Sequence, residues 1–165
     1  MREKGSGQSS EEQTMIRLTD DIVERIRRHA EQTYPEECCG AMMGRSAGRN
    51  QSVEILVPID NTQAENRERR FLITPRQYQQ CEQAARSMNM ELLGFYHSHP
   101  DHPAVPSTFD REHALPWFTY VIVSVQAGRS RGVTGWMLSE DRTIFTERPL
   151  AILSTPLQTN PGISF

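Results

Sequence analysis

The chain's 165 residues are enough for one domain with a hydrophobic core and too few for two. Its 36% apolar and 24% charged residues and its formal net charge of -3 are typical of a soluble globular protein, and its basic residues do not form the stripe that nucleic-acid phosphates require. No segment has the apolar core of a signal peptide or the roughly 20 apolar residues of a membrane span, so we predict a cytoplasmic protein that binds neither nucleic acid nor membrane.

The hydrophobic pattern divides the chain into two tails and one folded domain. Residues 1–14 are rich in Gly, Ser and Glu and predict a flexible tail. Residues 15–148 predict a single domain, and residues 149–165, with three prolines, predict a C-terminal tail. Within the domain, apolar runs and alternating patterns predict strands. These strands cover residues 15–18, 38–44, 52–59, 71–73, 92–98, 120–125, 132–139 and 143–147.

Three helices are predicted between these strands. The first begins after an N-cap residue, Thr19, and cannot continue past Pro35. The second begins with a Thr-Pro-Arg-Gln capping box at residues 74–77, and its apolar stripe places Cys81 in the core. A short third helix follows Ser107. Strands mixed with helices predict an α/β or α+β fold in which helices flank a central mixed β-sheet.

A histidine pair ends the strand predicted at residues 92–98. Because side chains alternate faces along a strand, His97 and His99 point to the same side and can bind one ion. Ser107 and Asp110 follow a Pro-rich bend at the spacing of one helical turn, and the Asp110 carboxylate would be a third ligand. Each piece has a structural alternative, since histidines at a strand end are often solvated and Ser107 with Asp110 also forms a helix N-cap.

A metal site of this kind needs a base if it is to hydrolyse an amide. Catalytic zinc takes three protein ligands and lowers the pKa of bound water to about 7. A nearby carboxylate can accept the water's proton and pass it to the leaving amine. Glu36 and Glu37 precede a buried strand and are candidates, although both could lie in a solvated loop. The adjacent Cys38 and Cys39 are expected to be small buried residues with reduced thiols.

Taken together, these segments resemble a known signature. The residues His-Ser-His-Pro at 97–100 and Ser-x-x-Asp at 107–110, with Pro-Glu-Glu upstream at 35–37, are similar to the motif of the JAMM (MPN+) zinc metalloproteases. The resemblance covers roughly residues 15–147 and implies a fold similar to that of cytidine deaminases. Deaminase chemistry is not indicated, because it uses His-x-Glu followed by Pro-Cys-x-x-Cys and this chain has neither.

The resemblance also implies a role for each residue of the motif. His97, His99 and Asp110 are implied as the ligands of one zinc ion, with water as the fourth ligand. Glu37, rather than Glu36, matches the general acid/base. Ser107 matches the serine that donates a hydrogen bond to the tetrahedral intermediate, which is a form of oxyanion stabilisation.

The family further implies a substrate class. Its members hydrolyse a peptide or isopeptide bond after the Gly-Gly tail of ubiquitin or a ubiquitin-like protein. The compact chain is most similar to the bacterial stand-alone subgroup that acts on sulfur-carrier proteins, of the CysO-cysteine peptidase type. Two alternatives stay open, namely a catalytically idle module that binds or scaffolds such a tail and a hydrolase of small peptides or amides. A homodimer is also left open.

Overall fold

The computed structural model describes residues 15–154 of the chain. The predicted N-terminal tail and residues 155–165 of the predicted C-terminal tail lie outside the described residues. The described part is a mixed sheet flanked by helices, which confirms the predicted fold class. Its strands are β1 (Ile16–Thr19), β2 (Cys39–Ala47), β3 (Asn50–Ile59), β4 (Glu91–Pro100), β5 (Thr119–Gln126), β6 (Arg129–Leu138), β7 (Phe145–Arg148) and β8 (Leu150–Leu153). Its helices are α1 (Asp20–Thr33), α2 (Pro75–Ser87) and α3 (Thr108–His113). None of these described helices has the length and apolar character needed to cross a bilayer.

The strands of the described sheet lie in the order β7-β6-β5-β4-β2-β3-β1-β8. β4 is parallel to β5, and β1 is parallel to both β3 and β8, whereas the other neighbours are antiparallel. Only Pro149 separates β7 from β8, although these strands lie at opposite ends of the order. The sheet therefore curls until its ends approach each other. A Cβ atom at Gly135 of β6 would lie 2.8 Å from Ile16 of β1.

A helix covers each face of the sheet. Thr19 caps α1, which buries its apolar stripe against one face. α2 begins with the predicted capping box and buries Cys81 against the other face, as predicted. Side chains of β4 alternate between these two cores, so Tyr96 packs on the α1 side and Phe95 on the α2 side. His97, two residues after Phe95, consequently faces the α2 side.

The prediction of a strand at residues 71–73 is wrong, because these residues lie in the loop before α2. The Leu72 N–H donates to Oδ1 of Asn61 at 3.2 Å, and the Leu72 carbonyl accepts from the Thr62 hydroxyl at 3.0 Å. Side chains of the preceding loop, rather than a neighbouring strand, therefore satisfy these backbone groups. An apolar run of three residues has no local feature that distinguishes the two outcomes.

β8 lies in the segment that the sequence assigns to the C-terminal tail. Leu150 pairs with Ile16 of β1 in parallel register, and its side chain packs against the core on the α1 side. β1 offers backbone donors and acceptors along this edge, and β8 satisfies them. The sheet thus extends past the predicted domain boundary at residue 148, because a pairing partner more than 130 residues away in sequence leaves no local signal.

Gly94 of β4 is the position where the sheet tolerates a side chain least. Its φ is +154°, and a Cβ atom there would collide with the carbonyl oxygen of Thr119 on β5. We expect Gly94→Ala to lower the free energy of unfolding by about 3 kcal/mol, because backbone must move to relieve the clash. Gly132→Ala is the matched control, since its Cβ meets nothing within 4 Å. Urea denaturation checks both, and equal midpoints for the two variants would contradict this account.

Candidate functional site

The site begins at the C-terminal end of β4. His97 and His99 lie on one face of the strand, as predicted, and their Nε2 atoms are 3.1 Å apart. Both rings are buried. The ring of Phe71 stacks on His97, with 4.4 Å between centroids and 27° between the planes. His97 is therefore held between the sheet and the loop that precedes α2.

Asp110 reaches the histidine pair from α3. Its Oδ1 lies 3.2 Å from Nε2 of His97, and its Oδ2 lies 3.2 Å from Nε2 of His99. Ser107 caps α3 through a capping box, in which its hydroxyl accepts from the Asp110 N–H and its own N–H donates to Oδ2 of Asp110. The structural interpretation of this pair as a helix cap is thus confirmed. The same cap holds the carboxylate against the two imidazoles.

These three side chains fit a metal ion. Their ligand atoms all lie within 4.8 Å of one another. Nδ1 of His99 lies 2.8 Å from the carbonyl oxygen of Pro103, which can only accept, so Nδ1 carries the proton and Nε2 has a free lone pair. Lone pairs on imidazole nitrogens and carboxylate oxygens this close together repel one another unless a proton or a cation lies between them. Two imidazole nitrogens and one carboxylate are a donor set that zinc takes in catalytic sites.

The pKa values of His97, His99 and Asp110 reflect burial and mutual attraction. Burial lowers the pKa of His97, and the neighbouring Asp110 carboxylate only partly opposes this. Burial acts the same way on His99, but its hydrogen bond to Asp110 gives a pKa above the ordinary value. Burial disfavours the ionised form of Asp110, yet the two imidazoles hold the pKa of its carboxyl below the usual range. The carboxylate is therefore ionised and depends on positive charge beside it.

Glu37 lies two residues before β2 begins, opposite His99 of β4. Cys39 pairs with His97, and the Ser98 N–H donates to the Cys38 carbonyl at 3.1 Å, so the antiparallel register continues to bring Glu37 opposite His99. The Glu37 side chain is buried and its Oε2 has no hydrogen-bond partner. Burial raises the pKa of Glu37 to about 8, with the Asp110 charge adding to the rise and His99 opposing it. Such a carboxyl exchanges a proton near neutral pH.

The neighbouring acid is in a different environment. Glu36 is about half exposed and lies 3.7 Å from the guanidinium of Arg67 in a surface ion pair. Exposed pairs of this kind contribute little. The alternative of a solvated loop residue therefore describes Glu36, whereas Glu37 is buried beside the ligand group.

The remaining three histidines and the two adjacent cysteines lie outside the ligand group. His29 bonds to the hydroxyl of Tyr96 at 2.9 Å, and His113 bonds to the Phe109 carbonyl within α3. His102 is exposed. Cys38 and Cys39 are free and buried, and burial raises the pKa of each thiol to about 12. Both cysteines are buried with free thiols, as predicted.

An apolar cavity of about 310 Å³ opens beside the ligand group. His97 and Asp110 form part of its wall, and the rest is mainly aromatic and aliphatic. The main apolar lining comes from Phe71, Ile73, Tyr78, Phe95, Leu115 and Tyr120. The sequence did not predict this cavity, because its wall combines the 61–74 loop, α2, α3 and three strands. A side chain bound in it would lie directly beside His97 and Asp110.

Comparison with known proteins identifies relatives over most of the chain. A family described as prokaryotic homologs of the JAB domain matches residues 19–138. The chain is 36% identical over 106 residues to the desampylase of Haloferax volcanii. The aligned residues make up 64% of this chain and 74% of that protein. It is 28% identical over 123 residues to a probable TtuB-protein conjugate cleaving protease of Thermus thermophilus, with coverages of 74% and 76%. It is also 28% identical over 143 residues to the tail tip assembly protein K of Escherichia phage N15. That alignment covers 84% of this chain but only about half, 49%, of the phage protein.

Solved structures show the same fold. The solution structure of a protein from Desulfitobacterium hafniense superposes with a TM-score of 0.75 at 29% sequence identity. The alignment covers 86% of this chain and 94% of that one. The likeness thus extends over most of the chain.

The buried carboxyl of Glu37 predicts a pH dependence of stability in the metal-free chain. Because folding raises its pKa from 4.5 to about 8, the folded state keeps a proton that the unfolded state has released between these values. The free energy of unfolding should therefore fall as pH rises from about 5 to 8, by at most about 1.4 kcal/mol per pH unit. We expect Glu37→Gln to make this fall shallower and Glu36→Gln to leave it unchanged. Urea titrations with chelator present measure it, and parallel curves for wild type and Glu37→Gln would refute the assignment.

Proposed function

The chain belongs to the family of prokaryotic homologs of the JAB domain, and on that premise we propose that it is a zinc-dependent peptidase or isopeptidase. Its substrate would be an amide bond at the C-terminus of a ubiquitin-like or sulfur-carrier protein. Two relatives whose names describe desampylation and the cleavage of a protein conjugate support this substrate class. The single observation that carries the proposal is the buried, unpartnered Glu37 carboxyl beside a group of two histidines and one aspartate.

His97, His99 and Asp110 would hold the zinc ion. Zinc bound there supplies a Lewis acid, which polarises a carbonyl and makes water more acidic. The chain prepares for this in two ways. The Pro103 carbonyl fixes the tautomer of His99, and the cap of α3 fixes the carboxylate of Asp110.

Glu37 would carry the proton during hydrolysis. Its carboxylate takes a proton from the attacking water as the oxygen forms its bond to the amide carbon. The same carboxyl then gives that proton to the amide nitrogen as the carbon–nitrogen bond breaks, so the amine leaves neutral. Burial supports this role, because it raises the pKa of Glu37 to about 8 in the metal-free chain. A cation bound beside this carboxyl would lower that pKa toward neutrality, where one group can both accept and release a proton.

Ser107 would stabilise the oxyanion, as the family signature implies. Its hydroxyl donates to Oδ2 of Asp110 at 2.8 Å in the described structure. A hydroxyl has one proton, so a hydrogen bond to the developing oxyanion requires that this bond to Asp110 be exchanged. The side chain is exposed, and turning only its hydroxyl hydrogen toward the oxyanion would leave the oxygen in place to accept from the Asp110 N–H.

The substrate tail would approach along the apolar cavity. Two glycines next to the scissile bond have no side chains, so they let the backbone come close to the buried ligand group. An apolar side chain elsewhere in the substrate can then occupy the cavity beside His97 and Asp110. This arrangement favours an extended tail over a folded segment.

Metal and activity should separate in two variants. Glu37→Gln is expected to bind one zinc per chain but to lose at least about 100-fold in kcat, because it removes the proton carrier and no ligand. His99→Ala is expected to lose the zinc. Glu36→Gln, with its exposed side chain, should match the wild type. Metal analysis and mass spectrometry of carrier-protein conjugates measure both properties.

Either of two results would reject the hydrolase. Wild-type protein that binds no zinc even when supplied with it would remove the metal chemistry. Zinc-loaded protein that binds conjugates without cleaving any of them would instead indicate the catalytically idle binding module.

The cavity predicts a preference for apolar substrates. Leu115 lines the cavity and is 37% exposed, so Leu115→Asp places a charge at its wall at little cost to the core. We expect kcat/KM to fall roughly 10-fold or more for conjugates with Leu or Phe in the tail, and to change little for those with Ala. Ile152→Asp on β8 is the control, because this exposed side chain is not among the lining residues. Equal losses for all tails would contradict a role for the cavity.

A further inference from the structure

The side chain of Asn61, two residues after β3, makes four hydrogen bonds to backbone groups. Its Nδ2 donates to the Arg70 carbonyl at 2.9 Å and to the Glu37 carbonyl at 3.3 Å. Its Oδ1 accepts from the Gln63 N–H at 3.0 Å and the Leu72 N–H at 3.2 Å. A primary amide is suited to this arrangement, since it offers two donor hydrogens and two acceptor lone pairs.

The bonds of Asn61 join two parts of the site that are far apart in sequence. On one side they reach the backbone of Glu37. On the other they hold residues 70–72, and Phe71 in that segment stacks on His97 and lines the cavity. The loop after β3 therefore contacts both the proton carrier and a metal-ligand side chain.

The backbone of Glu37 is held by this loop from both of its polar groups. Its N–H donates to the Arg67 carbonyl at 2.7 Å, and its carbonyl accepts from Asn61. The Oε2 atom of Glu37 has no hydrogen-bond partner. The position of the carboxyl is consequently set by its backbone anchors and by packing, rather than by a bond at that oxygen.

We propose that Asn61 is a positioning residue for hydrolysis, which places the Glu37 carboxyl and the Phe71 wall of the cavity relative to each other. The inference rests on the proposed function, because it assigns Asn61 to the same reaction. Asn61 acts through Glu37 and the loop and does not contact the reacting atoms. Small displacements of a catalytic group are sufficient to slow a reaction about 100-fold.

Two substitutions separate this role from simple support of the loop. Asn61→Asp keeps the shape and the acceptor oxygen but removes both donated bonds, including the one to Glu37. Thr62→Val is the matched control, because it removes a bond within the same loop, from the Thr62 hydroxyl to the Leu72 carbonyl, and leaves the link to Glu37 intact. Asn61→Ala, which removes all four bonds, serves as a second test that carries no added charge.

We expect both Asn61 variants to bind zinc like the wild type and to lose roughly 10- to 100-fold in kcat, with a smaller change in KM. Thr62→Val should stay within about twofold of the wild type in kcat. Full kcat in the Asn61 variants would overturn the proposal. An equal loss in Thr62→Val would also overturn it, since loop integrity alone would then explain the effect.

Hydrogen exchange gives a second measurement that does not depend on activity. The Glu37 amide is protected by its bond to Arg67, so its exchange should accelerate in Asn61→Asp and stay slow in Thr62→Val. If the wild type cleaves no conjugate, the proposed function fails while this exchange result still decides whether Asn61 anchors Glu37. Unchanged exchange at Glu37 in both Asn61 variants would reject the anchoring.

Discussion

The antiparallel pairing of β2 with β4 is the constraint on which the site depends. It sets Cys39 opposite His97, and the bond from the Cys38 N–H to the Ser98 hydroxyl extends the match by one residue. A shift of one position would turn both histidines into the core under α1. The register is fixed because alternate residues of both strands are buried on opposite faces, so the apolar core that stabilises the sheet also places Glu37 beside the ligands.

Two buried carboxyls in one site have opposite environments. Asp110 accepts hydrogen bonds from the backbone N–H and the hydroxyl of Ser107 and lies beside two imidazoles, and these interactions keep it ionised. Glu37 lies beside the same group but has an oxygen without a partner, and its pKa is raised to about 8. Two carboxyls whose pKa values are shifted in opposite directions can have different roles, one as a charged ligand and the other as a group that exchanges a proton. The difference comes from where each side chain lies in the fold, since the carboxyl groups of Asp and Glu are chemically almost the same.

The sequence predicted the parts of the fold and site that depend on local spacing. His97 and His99 on one strand face, the Ser107–Asp110 cap and the capping box of α2 each lie within a few residues, where periodicity is informative. The family signature supplied the choice of Glu37 over Glu36, and these two side chains differ in burial, since Glu37 is buried and Glu36 is about half exposed. β8 was missed, and residues 71–73 were assigned to a strand, because the backbone partners of these segments are a distant strand or side chains, and neither leaves a periodic pattern.

The loop after β3 shows why a segment without periodicity can still be ordered. Its backbone is bonded largely through side-chain groups, with Asn61 taking four bonds and Thr62 one. Such bonds depend on exact geometry, whereas an apolar face tolerates many substitutions of similar size. The same loop supplies the ring that stacks on His97 and both backbone anchors of Glu37. Changes that reshape the cavity wall through this loop therefore also move the Glu37 carboxyl, so in the proposed hydrolase substrate fit and proton transfer would change together.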